Sequence, residues 1–543
     1  MNPCDARVHL HRIAPHAPLA SPEEIGLKAH GLLRLARMGL IIPEAVVLGT
    51  SAFHAYCADK EGARAALKAA LREAIADIEQ MSGLGFGSQR RPLLVSVRSG
   101  APVSMPGMMD TLLDVGLCDA TLRGLLRHTG NPRLAWDSYR RLVQAFAETA
   151  HGADPSPFRE RLAERMRREH ASAPRELDYK ALSELTLDFL SLYSELVGSP
   201  FPQDPHEQLE TAALTVFASW ESERARHYRK LHKIDGSLGT AAIVQRMVFG
   251  NAGGTSGAGV GFTRDPTTGE DRLYIDFMFD SQGEDVVSGR ASARDAGHLA
   301  LGLPGVASTL SEARRALEQE FRDAMEFEFT VENGELFMLQ ARPGKRTPWA
   351  ALRMAVEQAQ SGLITPVEAL ARVEDIELGL LRRTRLADRD GLTPLARGVP
   401  AGLGVAAGVI ALDAAGVRRL ARKGRGVILV REEVSPDTLA SITTASGLLT
   451  ARGSRTAHAA VVARQMGKPC VVGCSSLTID LECRTARFGN TLVSEGEDLC
   501  MEAESGEVFR GRPHIASETP DALLAVIDEW RSAAATAATS ETA

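Results

Sequence analysis

The stretch Thr456-Ala457-His458-Ala459-Ala460-Val461-Val462-Ala463-Arg464 decides the reading of the second half of this chain. Before it, Leu448-Leu449-Thr450-Ala451-Arg452-Gly453-Ser454-Arg455 reads as a buried strand and then a tight polar turn. After it, Gly467-Lys468-Pro469 ends a short helix that spans Ala459 to Met466. The order strand, turn, helix puts His458 close to a helix N-terminus, where free backbone N–H groups and the helix dipole favour an anion. A neutral imidazole is a nucleophile at physiological pH, and one placed there can take a phosphoryl group. The local pattern fits equally well a histidine that only caps a helix or satisfies a core hydrogen bond.

Outward from this stretch the texture is uneven. From Ala396 to near Gly511 the chain alternates short Val/Ile/Leu strands with glycines. Residues 383–395 are polar and read as a linker. The tail after Gly511 carries one weak helix, Asp521 to Ala533, and then an Ala/Thr/Ser end that reads as disordered. Pro348 to Arg382 is helical, with a break at Gly362-Leu363-Ile364-Thr365-Pro366. Further upstream, helices are expected over Ile25–Met38, Phe53–Met81, Arg133–His151, Pro157–Glu195 and most of Leu310–Phe327. Strands are expected over Ala45–Leu48, Pro92–Ser99, Ala241–Phe249, Val260–Arg264, Leu273–Met278 and Leu336–Gln340, with a hairpin turn at Asn333-Gly334. There is no internal repeat.

A chain of 543 residues exceeds what one core supports and implies several units. The net charge of −7 does not point to nucleic acid or an anionic membrane as partner. No apolar run reaches the ~18 residues of a membrane span, and Met1 to Pro15 lacks the apolar core of a signal peptide. The seven cysteines are scattered with no CxxC pair, which suits a reducing cytoplasm. Cys470 and Cys474, on a strand-like segment, read as small buried packing rather than a metal site.

Three upstream features suggest a nucleotide. Asn251-Ala252-Gly253-Gly254-Thr255-Ser256-Gly257-Ala258-Gly259 reads as a glycine-rich turn whose backbone can approach phosphate oxygens, or as a plain hairpin turn. Arg98 ends a strand before a Gly/Met loop, where a guanidinium can clamp phosphates. Glu326 and Glu328 alternate with Phe327 and Phe329, so a strand that includes Glu326 places both carboxylates on one face. Gln340 and Arg342 form a second such pair on the return strand. A carboxylate, an amide oxygen and phosphate oxygens suit Mg²⁺, although the same alternation also describes a solvated strand face.

Together these segments resemble the pyruvate, phosphate dikinase family of PEP-utilizing enzymes. The resemblance rests on Leu94-Val95-Ser96-Val97-Arg98-Ser99-Gly100, Ser104-Met105-Pro106-Gly107-Met108-Met109-Asp110-Thr111 and Met247-Val248-Phe249-Gly250-Asn251. It also rests on Ser256 to Arg264, Gln282-Gly283-Glu284-Asp285-Val286-Val287 and Leu339-Gln340-Ala341-Arg342-Pro343-Gly344-Lys345-Arg346-Thr347. The His458 segment is similar to the family's phosphohistidine motif. The resemblance runs from about Gly26 to Gly511.

The resemblance implies an α/β and α+β multidomain fold: an ATP-grasp nucleotide domain over residues 1–345, a helical linker over 346–395, a swivelling phosphohistidine β/α domain over 396–511 and a partly disordered tail over 512–543. It implies an ATP-dependent phosphotransferase with Mg²⁺ as cofactor. Gly26-Leu27-Lys28 aligns with the family's Gly-Gly-Lys-Gly opening, so Lys28 is expected on the ATP phosphates. Arg98 is expected to clamp them, with Gly257, Gly259 and Glu326 also at the nucleotide. Glu328 and Gln340 are expected to hold Mg²⁺, Arg342 to face the transferring phosphate, and His458 to become the phosphohistidine. Thr456 matches a regulatory threonine of some members; as a residue it reads as a helix-capping hydroxyl.

The sequence departs from the family in several places. Gly253-Gly254 stand where acidic residues are common, Ala258 replaces a threonine, Gly453-Ser454 replace a double glycine and Ala457 replaces serine or cysteine. These changes bear on the use of inorganic phosphate as co-substrate. The family's C-terminal barrel for pyruvate or phosphoenolpyruvate does not fit in residues 512–543, so the expectation is a short form whose acceptor site lies on a separate barrel protein. A dikinase with another small-molecule acceptor, of the rifampin phosphotransferase type, needs an acceptor domain that Pro348 to Leu395 is too short to supply. A non-catalytic regulatory relative is the third alternative. The expected partners are ATP, inorganic phosphate and pyruvate/PEP or another acceptor, with a homodimer as the candidate assembly and no nucleic acid or membrane.

Overall fold

The computed structural model describes residues 8–105, 108–287, 296–389, 391–434, 439–455 and 458–541. The chain divides into two compact units. The first comprises residues up to Gly254 together with Leu336–Ala341, and the second comprises Thr255–Glu335 and Arg342 onward.

The first unit opens with β1 (Leu10–Ile13), α1 (Pro22–Arg37), β2 (Ala45–Leu48), α2 (Thr50–Ala58) and α3 (Lys60–Ser82). The single helix expected over Phe53–Met81 is two helices, because Asp59 leaves helical geometry and its carboxylate caps α3 by accepting from the Gly62 N–H. Short β3 (Gly85–Phe86) and β4 (Pro92–Leu93) precede β5 (Val95–Gly100) and β6 (Thr111–Val115). A helical group follows, α4 (Asp119–Thr129), α5 (Pro132–Ala145), α6 (Ser156–Arg168), α7 (Tyr179–Val197), α8 (Pro205–Trp220) and α9 (Glu223–Leu231), and then β7 (Ala241–Arg246). The main sheet has the order β1-β2-β7-β5-β6, with antiparallel pairing throughout. Its inner face shares one apolar core with α3, α5, α7 and α8.

The second unit begins with β8 (Gly257–Phe262), β9 (Tyr274–Phe279), α10 (Gly283–Val287), α11 (Ala296–Gly302), α12 (Pro304–Phe321) and β10 (Met325–Glu332). The chain turns at Asn333-Gly334, both at positive φ, into β11 (Glu335–Pro343), as the hairpin signal requires. Helix α12 stops at Phe321, so Glu326 lies within the strand. β8 is a central strand, paired antiparallel with β10 on one side and β9 on the other.

Helices α13 (Pro348–Gln360) and α14 (Pro366–Arg372) lead to β12 (Arg383–Leu386). The remainder is built from β13 (Ala396–Arg397), β14 (Val399–Pro400), β15 (Val405–Ala411), α15 (Ala414–Ala421), β16 (Val427–Arg431), α16 (Leu439–Thr444), β17 (Gly447–Thr450), α17 (His458–Gln465) and β18 (Cys470–Val472). Then come β19 (Leu477–Asp480), β20 (Thr485–Phe488), β21 (Thr491–Ser494), β22 (Asp498–Glu502), β23 (Glu507–Arg510), β24 (Ile515–Glu518) and α18 (Asp521–Glu541). The eight-stranded sheet has the order β13-β23-β22-β15-β16-β17-β18-β14, with a parallel run from β15 to β18. Period-two alternation splits its side chains. Val427, Leu429, Leu448 and Cys470 pack with the helices, whereas Ile428, Val430, Leu449 and Val471 pack against the β19-β20-β21 side. Cys470 and Cys474 fall in these two different clusters, and burial raises both thiols, Cys470 to about 12. They serve as packing groups.

Two expectations are corrected at the chain's end. The polar linker contains β12, paired antiparallel with β24 from Leu386↔Ile515 to Arg383↔Glu518. The tail is helical to Glu541, not disordered after Ala533. Ile527 is fully buried with Leu352, Val356, Ile364 and Ala369 of the linker helices, and the alanine-rich remainder has high intrinsic helix propensity.

Candidate nucleotide and phosphotransfer site

In the first unit the site is shaped by a glycine. Gly26 breaks α1 with φ 78° and ψ 156°. A Cβ there would lie 2.1 Å from the Gly100 carbonyl oxygen, so only glycine fits. The next amide, Leu27 N–H, donates to the Ala101 carbonyl at 2.9 Å. Lys28 therefore sits in the first turn of the resumed helix, beside the end of β5 that carries Arg98. The Arg98 Nη1 donates to Gln245 Oε1 at 3.3 Å and to the Leu339 carbonyl at 3.5 Å. Gln245, on β7, is buried and holds the Pro43 carbonyl through Nε2 at 3.3 Å. A Cβ on Gly31 would come within 3.1 Å of the Ala341 carbonyl, so the middle of β11 runs beside α1. Gln340, buried on that strand, belongs to the same unit as Lys28 and Arg98. Gln245 escaped the sequence reading. Its only signal is an amide inside the apolar run Ala241-Ala242-Ile243-Val244-Gln245.

In the second unit the ladder sorts the residues by face. Glu326 stands opposite Phe262, and Glu328 opposite Val260. Tyr274 stands opposite Phe262, and Asp276 opposite Val260. Directly opposite residues share a face, so Glu326, Glu328, Asp276, Tyr274 and Phe262 lie together. The other face carries Gly257, Gly259 and Gly261 under aromatic rings. A Cβ on them would meet Phe277 at 2.2 Å, Phe329 at 2.5 Å and Phe327 at 2.2 Å, respectively. Gly257 and Gly259 are strand residues of the central β8 rather than part of the preceding turn, and their missing side chains admit phenylalanine rings.

Glu326 is buried and accepts from Arg342 Nη2 at 2.5 Å. Burial works against the Arg342 guanidinium, but the charge and hydrogen bond of Glu326, with Glu328 beyond, hold its pKa above the ordinary value. Neighbouring Lys345 is shifted down, by burial first and by Arg342 second. With Glu326 engaged by Arg342, Glu328 is the carboxylate of this pair left to expect at a metal.

His458 begins α17 after parallel strand β17, at the carboxyl end of the sheet, where open α/β sheets place their ligands. Thr456 lies outside the described residues, as does the side chain of His458. Among the described residues no group of three or more His, Cys, Asp or Glu could hold a metal ion. The expected donors, one carboxylate and one amide, are hard oxygens too few for an all-protein cage. That set fits Mg²⁺, which keeps water and phosphate oxygens in its shell. Among the described residues no helix is long and apolar enough to cross a membrane.

Comparison with known proteins gives two domain matches. Residues 63–296 match the pyruvate phosphate dikinase AMP/ATP-binding domain, and residues 423–506 match the mobile domain of PEP-utilising enzymes. The class is therefore an α/β and α+β multidomain protein in which a nucleotide-binding domain is followed by a mobile domain. The chain is 38% identical over 523 residues to pyruvate, phosphate dikinase of Rhizobium meliloti (strain 1021), covering 94% of this chain and 58% of the relative. It is 39% identical over 491 residues to the Clostridium symbiosum protein of the same name, covering 90% and 56%. It is 38% identical over 511 residues to chloroplastic pyruvate, phosphate dikinase 1 of Arabidopsis thaliana, covering 94% and 53%. Over nine-tenths or more of its length the chain is thus similar to members of the pyruvate, phosphate dikinase family. It spans little more than half the length of these relatives.

Proposed function

We propose that the chain is an ATP-dependent phosphotransferase in which ATP phosphorylates His458 and the phosphohistidine passes its phosphoryl group to an acceptor. One observation carries the reading. Arg455, before His458, and Arg464, after it on α17, both lie against the sheet face that carries Glu326 and Glu328. In this reading Lys28 and Arg98 bind the nucleotide phosphates, with Arg98 held by Gln245. Arg342 neutralises charge on the phosphoryl group in transit, and His458 attacks it. Mg²⁺, held by Glu328 and Gln340, would neutralise phosphate charge. Phosphoryl transfer needs mainly this positioning and charge neutralisation. The acceptor is proposed to be pyruvate, with phosphoenolpyruvate as product, bound on a barrel outside residues 8–541. Inorganic phosphate is the proposed co-substrate, Thr456 a candidate regulatory site, a homodimer the candidate assembly and the cytoplasm the proposed location.

The test is labelling of the pure chain with Mg²⁺ and ATP carrying radioactive β- or γ-phosphate. The expected product is acid-labile, base-stable label that disappears in His458→Ala and on chelation of Mg²⁺. Label retained in His458→Ala would sink the carrier role. Discharge of the label by pyruvate, with a barrel protein supplied in trans, tests the acceptor.

A further inference from the structure

The segment around His458 is anchored on both sides. Before it, Ser454 Oγ donates to the Val286 carbonyl of α10 at 3.1 Å, with Ser454 buried. The next residue, Arg455, lies over the Tyr274 ring at 4.5 Å and faces the Asp276 carboxylate at 4.0 Å. After it, Arg464 on the last turn of α17 reaches back along the helix, and its Nη2 donates to the Arg455 carbonyl at 2.7 Å. Arg464 is 1% exposed, and its guanidinium lies 5.7 Å from the centre of the Phe262 ring. Its Nε and Nη1 meet no hydrogen-bond partner among the described residues.

Burial pushes both guanidiniums below the ordinary arginine value, Arg455 to about 10 despite the attraction of Asp265. Glu326 is the strongest attraction that opposes the shift of Arg464, followed by Asp276. All four partners on the sheet, Phe262, Tyr274, Asp276 and Glu326, share the face that carries Glu328. A buried cation is costly unless acidic and aromatic groups receive it. Here β8, β9 and β10 supply both kinds at the spot where the His458 segment arrives.

We propose that Ser454, Arg455 and Arg464 are positioning residues that seat the His458 turn on the carboxylate-bearing face of the β8–β9–β10 sheet and so fix the approach of His458 to the phosphoryl donor. This inference rests on the reading of His458 as the phosphoryl carrier. Arg464 ties the end of α17 to the turn before it, so the two sides of the histidine move together. Arg455 and Ser454 hold that braced turn to β9 and α10.

The test uses the full chain and measures the single-turnover rate of His458 labelling across ATP concentrations. Arg455→Met, Arg464→Lys and Asp276→Asn are each expected to lower the maximal labelling rate about tenfold or more while half-saturating ATP changes less than about twofold. Arg455→Met combined with Asp276→Asn is expected to lose less than the product of the two single losses, because both remove the Arg455–Asp276 pair, although Asp276→Asn also weakens the hold on Arg464. Wild-type maximal rates in all three variants would overturn the proposal. So would losses that appear only in half-saturating ATP, or losses that multiply in the double variant. Melting curves report whether each variant is folded; should Arg464→Lys fail to fold, Arg455→Met, at a partly exposed position, carries the test. Label that survives His458→Ala would instead defeat the carrier reading itself.

Discussion

Glu326 stands between two guanidiniums. Arg342 binds it directly, and the buried Arg464 is drawn to it from α17. One carboxylate thus faces both the strand that follows the hairpin and the helix that His458 begins. Within the first unit Gln245 plays a comparable part for Arg98. Gln245→Leu keeps the volume but removes the amide that bonds both Arg98 and the Pro43 carbonyl. Labelling efficiency, as rate over half-saturating ATP, is expected to fall about tenfold, and stability by about 1–3 kcal/mol for the Pro43 carbonyl left unpaired. Labelling assays and urea unfolding check the two figures separately. At this scale Glu326 and Glu328 were legible because strand periodicity alone sets their shared face. Gln245, Asp276 and Tyr274 were not, because their roles come from residues distant in the chain.

At the scale of elements, glycine illustrates how a sequence can mislead. Asn251 to Gly259 contains turn and strand in one glycine-rich run, and local composition does not separate them. Only the rings of Phe277, Phe327 and Phe329, which arrive from β9 and β10, explain why Gly257, Gly259 and Gly261 lack side chains. The hairpin at Asn333-Gly334 was legible because its turn chemistry is local. Helix α18 was read too short for the opposite reason. Its first half is fixed by Ile527 against α13 and α14, and those partners precede it by more than a hundred residues. Ile527→Ala is expected to cost about 2–5 kcal/mol of the stability of this helical cluster. Denaturant unfolding followed by α18 hydrogen exchange measures it; an unchanged midpoint would show that α18 does not brace the linker helices.

For the molecule as a whole, the Arg484 cluster ties stability to pH at the acid end. A hydrogen bond from Arg484, helped by the Gly416 N–H and opposed by burial, holds the Asp413 carboxyl at about 2. Glu495 is held low by the same arginine and by the Leu412 N–H, again against burial. Both carboxylates are more acidic folded than unfolded. Their contribution is complete above the ordinary carboxylate range and is lost as pH falls through the folded values, which for Asp413 is about 2. Arg484→Met removes the shared partner. Its stability is expected to be lower than wild type at neutral pH and to converge with it at about pH 2, as read by thermal melting across pH.

The pairing of β12 with β24 has a topological consequence. The strand that leads into residues 387–514 lies directly against the strand that leaves them, one ladder spacing apart. In topology, those residues are an insertion between two adjacent points. A short turn from Leu386 to Ile515 would close the gap without breaking the strand pair. The His458-bearing body is thus a cassette. Its excision, circular permutation or grafting would not require the chain around it to be rethreaded.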